Sequence, residues 1–119
     1  MQLYKPTEAQ IQASILDYLA RANRGVLWRN NTGGAYTKTG FISFGKKGSG
    51  DIIGCYRGYF VSIEVKSASG HLSDEQVDFA RQVTENGGYA IVARSIDDVV
   101  ELFRRIDSRV SNLETTTPV

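Results

Sequence analysis

Apolar residues recur at helical spacing in three stretches of the chain and alternate with polar ones between them. Ile11, Ile15, Leu16 and Leu19 share one side of a first helix. Thr7 and Gln10 form a capping box after Pro6, and Gly25 breaks the pattern, so the helix is expected from Thr7 to around Asn23. "VLWRN", from Val26, reads as a short strand. "NTGGAYTKTGFISFGKKGSG", from Asn31, reads largely as exposed loop with room for one or two short strands. A hairpin follows, Asp51 to Tyr56 and Tyr59 to Lys66, turning at Arg57-Gly58. Ser73 and Gln76 make a second capping box, and Gly87-Gly88 stops that helix. "YAIVAR", from Tyr89, predicts a strand buried on both faces. Ser95 caps a last helix with Val99, Leu102, Phe103 and Ile106 on its apolar side. A single domain over residues 1–110 is expected, with a flexible tail over 111–119.

The order α-β-β-β-α-β-α predicts an α/β fold with a central mixed sheet flanked by helices. The hairpin carries the chemistry. Counting outward from a two-residue turn, Tyr56 pairs with Tyr59, Cys55 opposes Phe60, Ile53 opposes Ser62, and Asp51 opposes Glu64. Side chains alternate along a strand, so Glu64 and Lys66 share a face. Directly opposed Cβ atoms lie roughly 5 Å apart, and two carboxylates that close repel unless something cationic sits between them. Lys66 supplies part of that charge. A divalent cation suited to hard oxygen ligands, Mg²⁺ or Mn²⁺, would supply the rest. A bulged turn at Arg57-Gly58 would shift the pairing and send Asp51 to the other face. "EVK" by itself is an ordinary amphipathic strand face, and "GSGD" an ordinary turn; their joint spacing is the specific signal.

Composition narrows the picture. The 119 residues are 41% hydrophobic and carry a net charge of +1, enough for one core and no global sign of a polyanion partner. The single Cys55 forbids an internal disulfide, and with one histidine it makes a Cys/His zinc site an unlikely architecture. No apolar run approaches the ~20 residues of a membrane span. The first residues lack the apolar middle of a signal peptide. A soluble intracellular protein without a membrane partner is expected. "GKKGSG" lacks the phosphate-binding GxxxxGK[ST] pattern and leads into a strand rather than a helix. His71 reads as a solvated loop residue. Basic and aromatic residues cluster upstream of Asp51, from Arg24 to Lys47, and read as a phosphate-contacting surface. Arg29 and Asn31 would alternate on one strand face toward the cleft. Trp28 reads as core rather than a stacking platform.

"D51…E64-V65-K66" resembles the signature of the PD-(D/E)XK nucleases, and the element order matches that superfamily's core. Within it the chain is similar to the virus-type replication-repair nuclease (VRR-NUC) domain. That likeness is carried by Glu8, "WRNNTGG", "KKGSGDIIG", "IEVK" and "LSDEQ", and covers Thr7 to Arg105. The family's usual proline before the aspartate is replaced by Gly50. The resemblance implies a Mg²⁺- or Mn²⁺-dependent endonuclease acting on DNA, with a four-way junction as the substrate of stand-alone members and a homodimer supplying two active sites. Asp51 and Glu64 would hold the metal with the backbone carbonyl of Val65. Glu8 would join directly or through water. Lys66 would orient or deprotonate the attacking water or stabilise the developing phosphorane charge, and Gln76 would steady Lys66 or the substrate. Arg29, Asn31, Tyr36, Lys38, Lys46, Lys47 and Ser49 are the expected nucleic-acid contacts. Alternatives are a catalytically silent nucleic-acid-binding module of the same fold, a nuclease for flap or nicked DNA, and a partner-binding domain whose charged hairpin end is merely exposed.

Overall fold

The computed structural model describes residues 4–116. Helix α1, Glu8–Ala22, starts on the expected box: Thr7 Oγ1 accepts from the Gln10 amide and Gln10 Oε1 accepts from the Thr7 amide. It ends where Asn23 turns left-handed, at φ 50°. Strand β1, Val26–Arg29, is followed by β2, Gly33–Thr37, and β3, Gly40–Phe44. Then come β4, Ile52–Tyr56, β5, Tyr59–Val65, α2, Asp74–Glu85, β6, Tyr89–Ala93, and α3, Ile96–Thr116. Helix α3 therefore runs on past residue 110, where the tail was expected to begin.

Four strands form one mixed sheet in the order β1-β4-β5-β6. β1, β4 and β5 are antiparallel, and β6 joins β5 in parallel after the α2 crossover. The fold is thus mixed α/β. β2 and β3 pair only with each other, as a separate two-stranded sheet inserted between β1 and β4. The glycine-rich stretch expected to be mainly loop is mainly this hairpin.

The alternation of β5 divides the molecule. Val61, Ile63 and Val65 are buried with Ile11, Ile15 and Leu19 of α1 and Val99, Leu102, Phe103 and Ile106 of α3. Ser62 and Glu64 face the other way, toward α2, where they line a pocket with Gln76, Phe79 and Ala80. The α2 layer is thinner, and none of that helix's residues is fully buried. Two sequence expectations about burial change. β6 is half-buried at Tyr89 to Val92 and fully buried only at Ala93, because it is an edge strand. Trp28 is 53% exposed rather than core, because β1 is the opposite edge.

The β4–β5 turn keeps the counted register. Tyr56 pairs with Tyr59, Cys55 with Phe60, Ile53 with Ser62 and Ile52 with Ile63, with no bulge. Arg57 at φ 51° and Gly58 at φ 89° give the two left-handed residues that a twisted two-residue hairpin requires. Left-handed arginine is strained, and its side chain is anchored: Arg57 donates to Asp107 at 3.1 Å. Asp107 also accepts from Tyr56 and Arg24, both at 2.6 Å, which ties the hairpin to α3 and to the α1–β1 link. No helix among the described residues is long and apolar enough to cross a membrane.

Candidate active site

At the C-terminal end of β5 the hairpin leaves its ladder. The ladder's last pair is Ile52 with Ile63, so Asp51 and Glu64 stand one step beyond it. Asp51 bends inward instead of continuing the strand. Its Oδ2 accepts from the Val65 amide at 2.7 Å, and its own carbonyl accepts from the Asn30 amide at 2.7 Å. In an extended strand the N–H and C=O of one residue point to the same side. The Val65 carbonyl therefore faces the side on which Asp51 lies.

Glu64 is nearly enclosed, with its side chain 12% exposed. Its Oε1 accepts from Gln76 Nε2 at 2.9 Å and lies 3.7 Å from Lys66 Nζ. Gln76 is also the third residue of α2, and its Oε1 accepts from the Ser73 amide at 2.8 Å. One amide thus caps the helix and orients the carboxylate. The sequence reading placed Gln76 against Lys66 or substrate; its partner is Glu64. Lys66 itself is 13% exposed, and its amide donates to Ala93.

Burial first, and then the charge of Asp51, push the Glu64 carboxyl up to about 8. Hydrogen bonding to Asp51 and the charge of Glu8 act in the same direction, and Lys66 opposes them. Glu8, the first residue of α1, is exposed, yet its Oε1 and the Lys66 stem both lie close to Gly70. Two acidic groups, a nearby third and one lysine leave the site short of positive charge.

Its oxygen donors have the chemistry of a hard divalent cation's ligands. Among the described residues, however, no group of three His, Cys, Asp or Glu side chains comes together to hold a metal. Asp51 and Glu64 would hold one with the Val65 carbonyl, and Glu8 does not join them in a direct three-carboxylate cluster.

The loop before Asp51 is built with unusual economy. The Gly50 amide donates to the buried Ser62 Oγ at 3.1 Å, and a Cβ at Gly50 would lie 2.4 Å from that oxygen and 2.8 Å from the Ile63 carbonyl. A proline here would lose that hydrogen bond and collide with β5. Asn30 closes the loop from β1, donating through Nδ2 to Ser49 Oγ at 2.7 Å and to the Gly50 carbonyl at 2.9 Å. Sequence reasoning missed Asn30 and favoured its neighbours. Its signal was the β1–β4 register: Arg29 pairs with Ile52, so the next residue meets Asp51.

The expected nucleic-acid contacts scatter more widely. β1 ends at Arg29, so Asn31 lies beyond it in the link to β2 and the two do not alternate on a strand face. Ser49 Oγ is committed within its loop, donating to the Lys46 carbonyl at 2.6 Å as well as accepting from Asn30. Lys47 pairs with Glu75 at 3.1 Å on the α2 start. Tyr36 is 88% exposed, and Lys38 sits in the β2–β3 turn. Lys46 and Arg29 are exposed, as is His71.

No protein-family model matches the chain, and no curated protein matches it significantly.

Proposed function

We propose that this chain is a divalent-metal-dependent endonuclease that hydrolyses DNA phosphodiester bonds. One observation carries the reading. Asp51, Glu64 and Lys66 meet at one end of one hairpin, where burial first and then the charge of Asp51 raise the Glu64 carboxyl. A stable protein has little reason to bury like charges together unless a cation joins them.

Hydrolysis breaks one P–O ester bond and adds water across it. A divalent cation, when bound, would acidify water and withdraw charge from the phosphate. The chain's own groups do the rest. Asp51, steadied by the Val65 amide, supplies an anionic oxygen in a fixed position, and Glu64, steadied by Gln76, would supply a second once a bound cation displaces its proton. Lys66 Nζ supplies positive charge where the phosphate becomes more negative, or takes part in orienting the water. Branched DNA, with the four-way junction first among candidates, and a homodimer offering one site per strand complete the proposal.

The test is cleavage of four-way, flap, duplex and single-stranded DNA of matched sequence with Mg²⁺ or Mn²⁺. Cleavage that needs the cation and disappears in Asp51→Ala and Glu64→Ala is expected. No cleavage with either cation, or cleavage surviving in those variants, overturns the reading. The absence of a three-side-chain metal cluster among the described residues favours a second one, a nucleic-acid-binding module without turnover. That module would bind the same DNAs in chelator and cut none of them.

A further inference from the structure

The detached β2–β3 hairpin leaves an open groove of about 500 Å³ at its base. Gly34, Phe41 and Ser43 line it from the hairpin, and Gly45, Lys47 and Gly48 from the loop leading to Asp51. Gly48 also borders the pocket that contains Glu64 and Gln76, so the groove adjoins the candidate active site. Phe41 covers Gly34: a Cβ there would lie 2.1 Å from the ring. Tyr36 meets Phe41 edge-on, with centroids 5.1 Å apart, and Phe41 stays 59% exposed.

An isolated two-stranded sheet is marginal in water, and an exposed aromatic pair on one adds a surface that a ligand could cover. Charge identifies the ligand. From Tyr18 to Gly50 there is no Asp or Glu, but there are six Lys or Arg residues, although the whole chain is nearly neutral; Arg21, Arg24 and Lys47 of these pair with Asp17, Asp107 and Glu75. Arg29 and Lys38 of this segment are exposed, and Lys46 is exposed beside the groove's Lys47. Aromatic rings beside cations, with glycines that allow close backbone approach, suit a nucleotide better than an apolar peptide.

We infer that this groove is a nucleobase subsite: it takes one unstacked base of the DNA strand, stacked on Phe41, with the flanking phosphates near Lys46 and Lys47. The assignment rests on the endonuclease reading for its biological setting, but its test does not depend on turnover. A single-stranded oligodeoxynucleotide carrying 2-aminopurine is titrated with the full chain in chelator, and cleavage of the same oligonucleotide is followed separately with Mn²⁺.

Binding should change the 2-aminopurine fluorescence. Phe41→Ala should weaken binding roughly tenfold or more and abolish that change, whereas Phe41→Tyr should retain both. Phe41 lies outside the main core, and thermal melting checks that Phe41→Ala remains folded. Lys38→Ala, at the hairpin turn, should weaken binding but keep the fluorescence change. Unaltered affinity and fluorescence in a folded Phe41→Ala would overturn the subsite, even if the protein cuts DNA. A Phe41-dependent signal without any cleavage would support the subsite while the endonuclease reading fails.

Discussion

Asp51 Oδ2 accepts a hydrogen bond from the Val65 amide at 2.7 Å, across the open end of the hairpin. The contact replaces the next rung of the β4–β5 ladder. It turns an aspartate that would otherwise project into solvent into one held against the residue that follows Glu64.

Asp51→Asn should therefore separate fold from chemistry. The amide oxygen of asparagine can still accept from Val65, so stability should stay within about 1 kcal/mol of the parent. The anionic oxygen is lost, and DNA cleavage should fall by about 10²-fold or more. Asp51→Ala should lose activity and also stability, by about 1–3 kcal/mol, because the Val65 amide is left without its partner. Denaturant melts alongside a cleavage assay read both quantities. Equal stability loss in the two variants would show that the hydrogen bond does not hold the site together.

A pH dependence follows from Glu64. Its carboxyl is raised to about 8 in the folded chain, above its ordinary value of 4.5, so the folded state binds the proton more tightly than the unfolded one. The stability this contributes is fully present below pH 4.5 and is lost as pH rises through about 8. Without metal, unfolding free energy should fall across that window, by an amount on the order of a few kcal/mol at most. Glu64→Gln should flatten the trend. Added Mg²⁺ or Mn²⁺ should stabilise the parent most at the alkaline end, where Glu64 is already deprotonated. Urea melts at pH 5, 7 and 9 (about the span of the window) decide the matter, and metal-free stability that rises with pH would contradict the assignment.

Gln76 joins helix capping to the site, so its two functions can be pulled apart. Gln76→Glu keeps an oxygen for the Ser73 amide but places a carboxylate against Glu64, in place of Nε2. Thermal stability should change little at pH 5, while turnover should fall by about 10-fold or more. Gln76→Ala should lower both, with a stability cost of about 1 kcal/mol from the broken capping box. If Gln76→Glu turned over like the parent, its contact with Glu64 would be a matter of packing alone.

Gly50 offers a test remote from charge. In Gly50→Ala the added methyl would lie 2.4 Å from Ser62 Oγ. The loop must shift and carry Asp51 with it, so both stability and cleavage should drop. The double variant Gly50→Ala/Ser62→Ala should recover only part of the loss, because the Ile63 carbonyl, 2.8 Å from the same methyl, cannot be removed. Full recovery would mean that the backbone contact is easily relieved.

The sequence was most legible where local chemistry admits few solutions. Both capping boxes are present as read, because Thr7-Gln10 and Ser73-Gln76 satisfy amides that nothing else at a helix start can reach. The hairpin register could be counted because a two-residue turn leaves no slack, and Arg57 accepts the left-handed strain. Legibility failed where neighbours decide. Trp28 looks like core until β1 is known to be an edge. Asn31 looked aligned with Arg29 only while the strand was assumed to continue, and Asn30 acquires its role through β4, more than twenty residues away in the chain. The stretch after residue 110 carries no apolar period, yet it continues a helix already nucleated by the core-facing turns before it.

The two-sided character of β5 has one more outcome. Val61, Ile63 and Val65 meet the core while Ser62 and Glu64 meet α2. A slip of one residue during folding would drive a carboxyl group into the oily side and strand three aliphatic side chains beside the polar pocket. Such a molecule could not persist as a well-folded population. Every copy stable enough to survive would carry Ser62 and Glu64 on the α2 side, so the hydrophobic core acts as the inspector of a polar face it never touches.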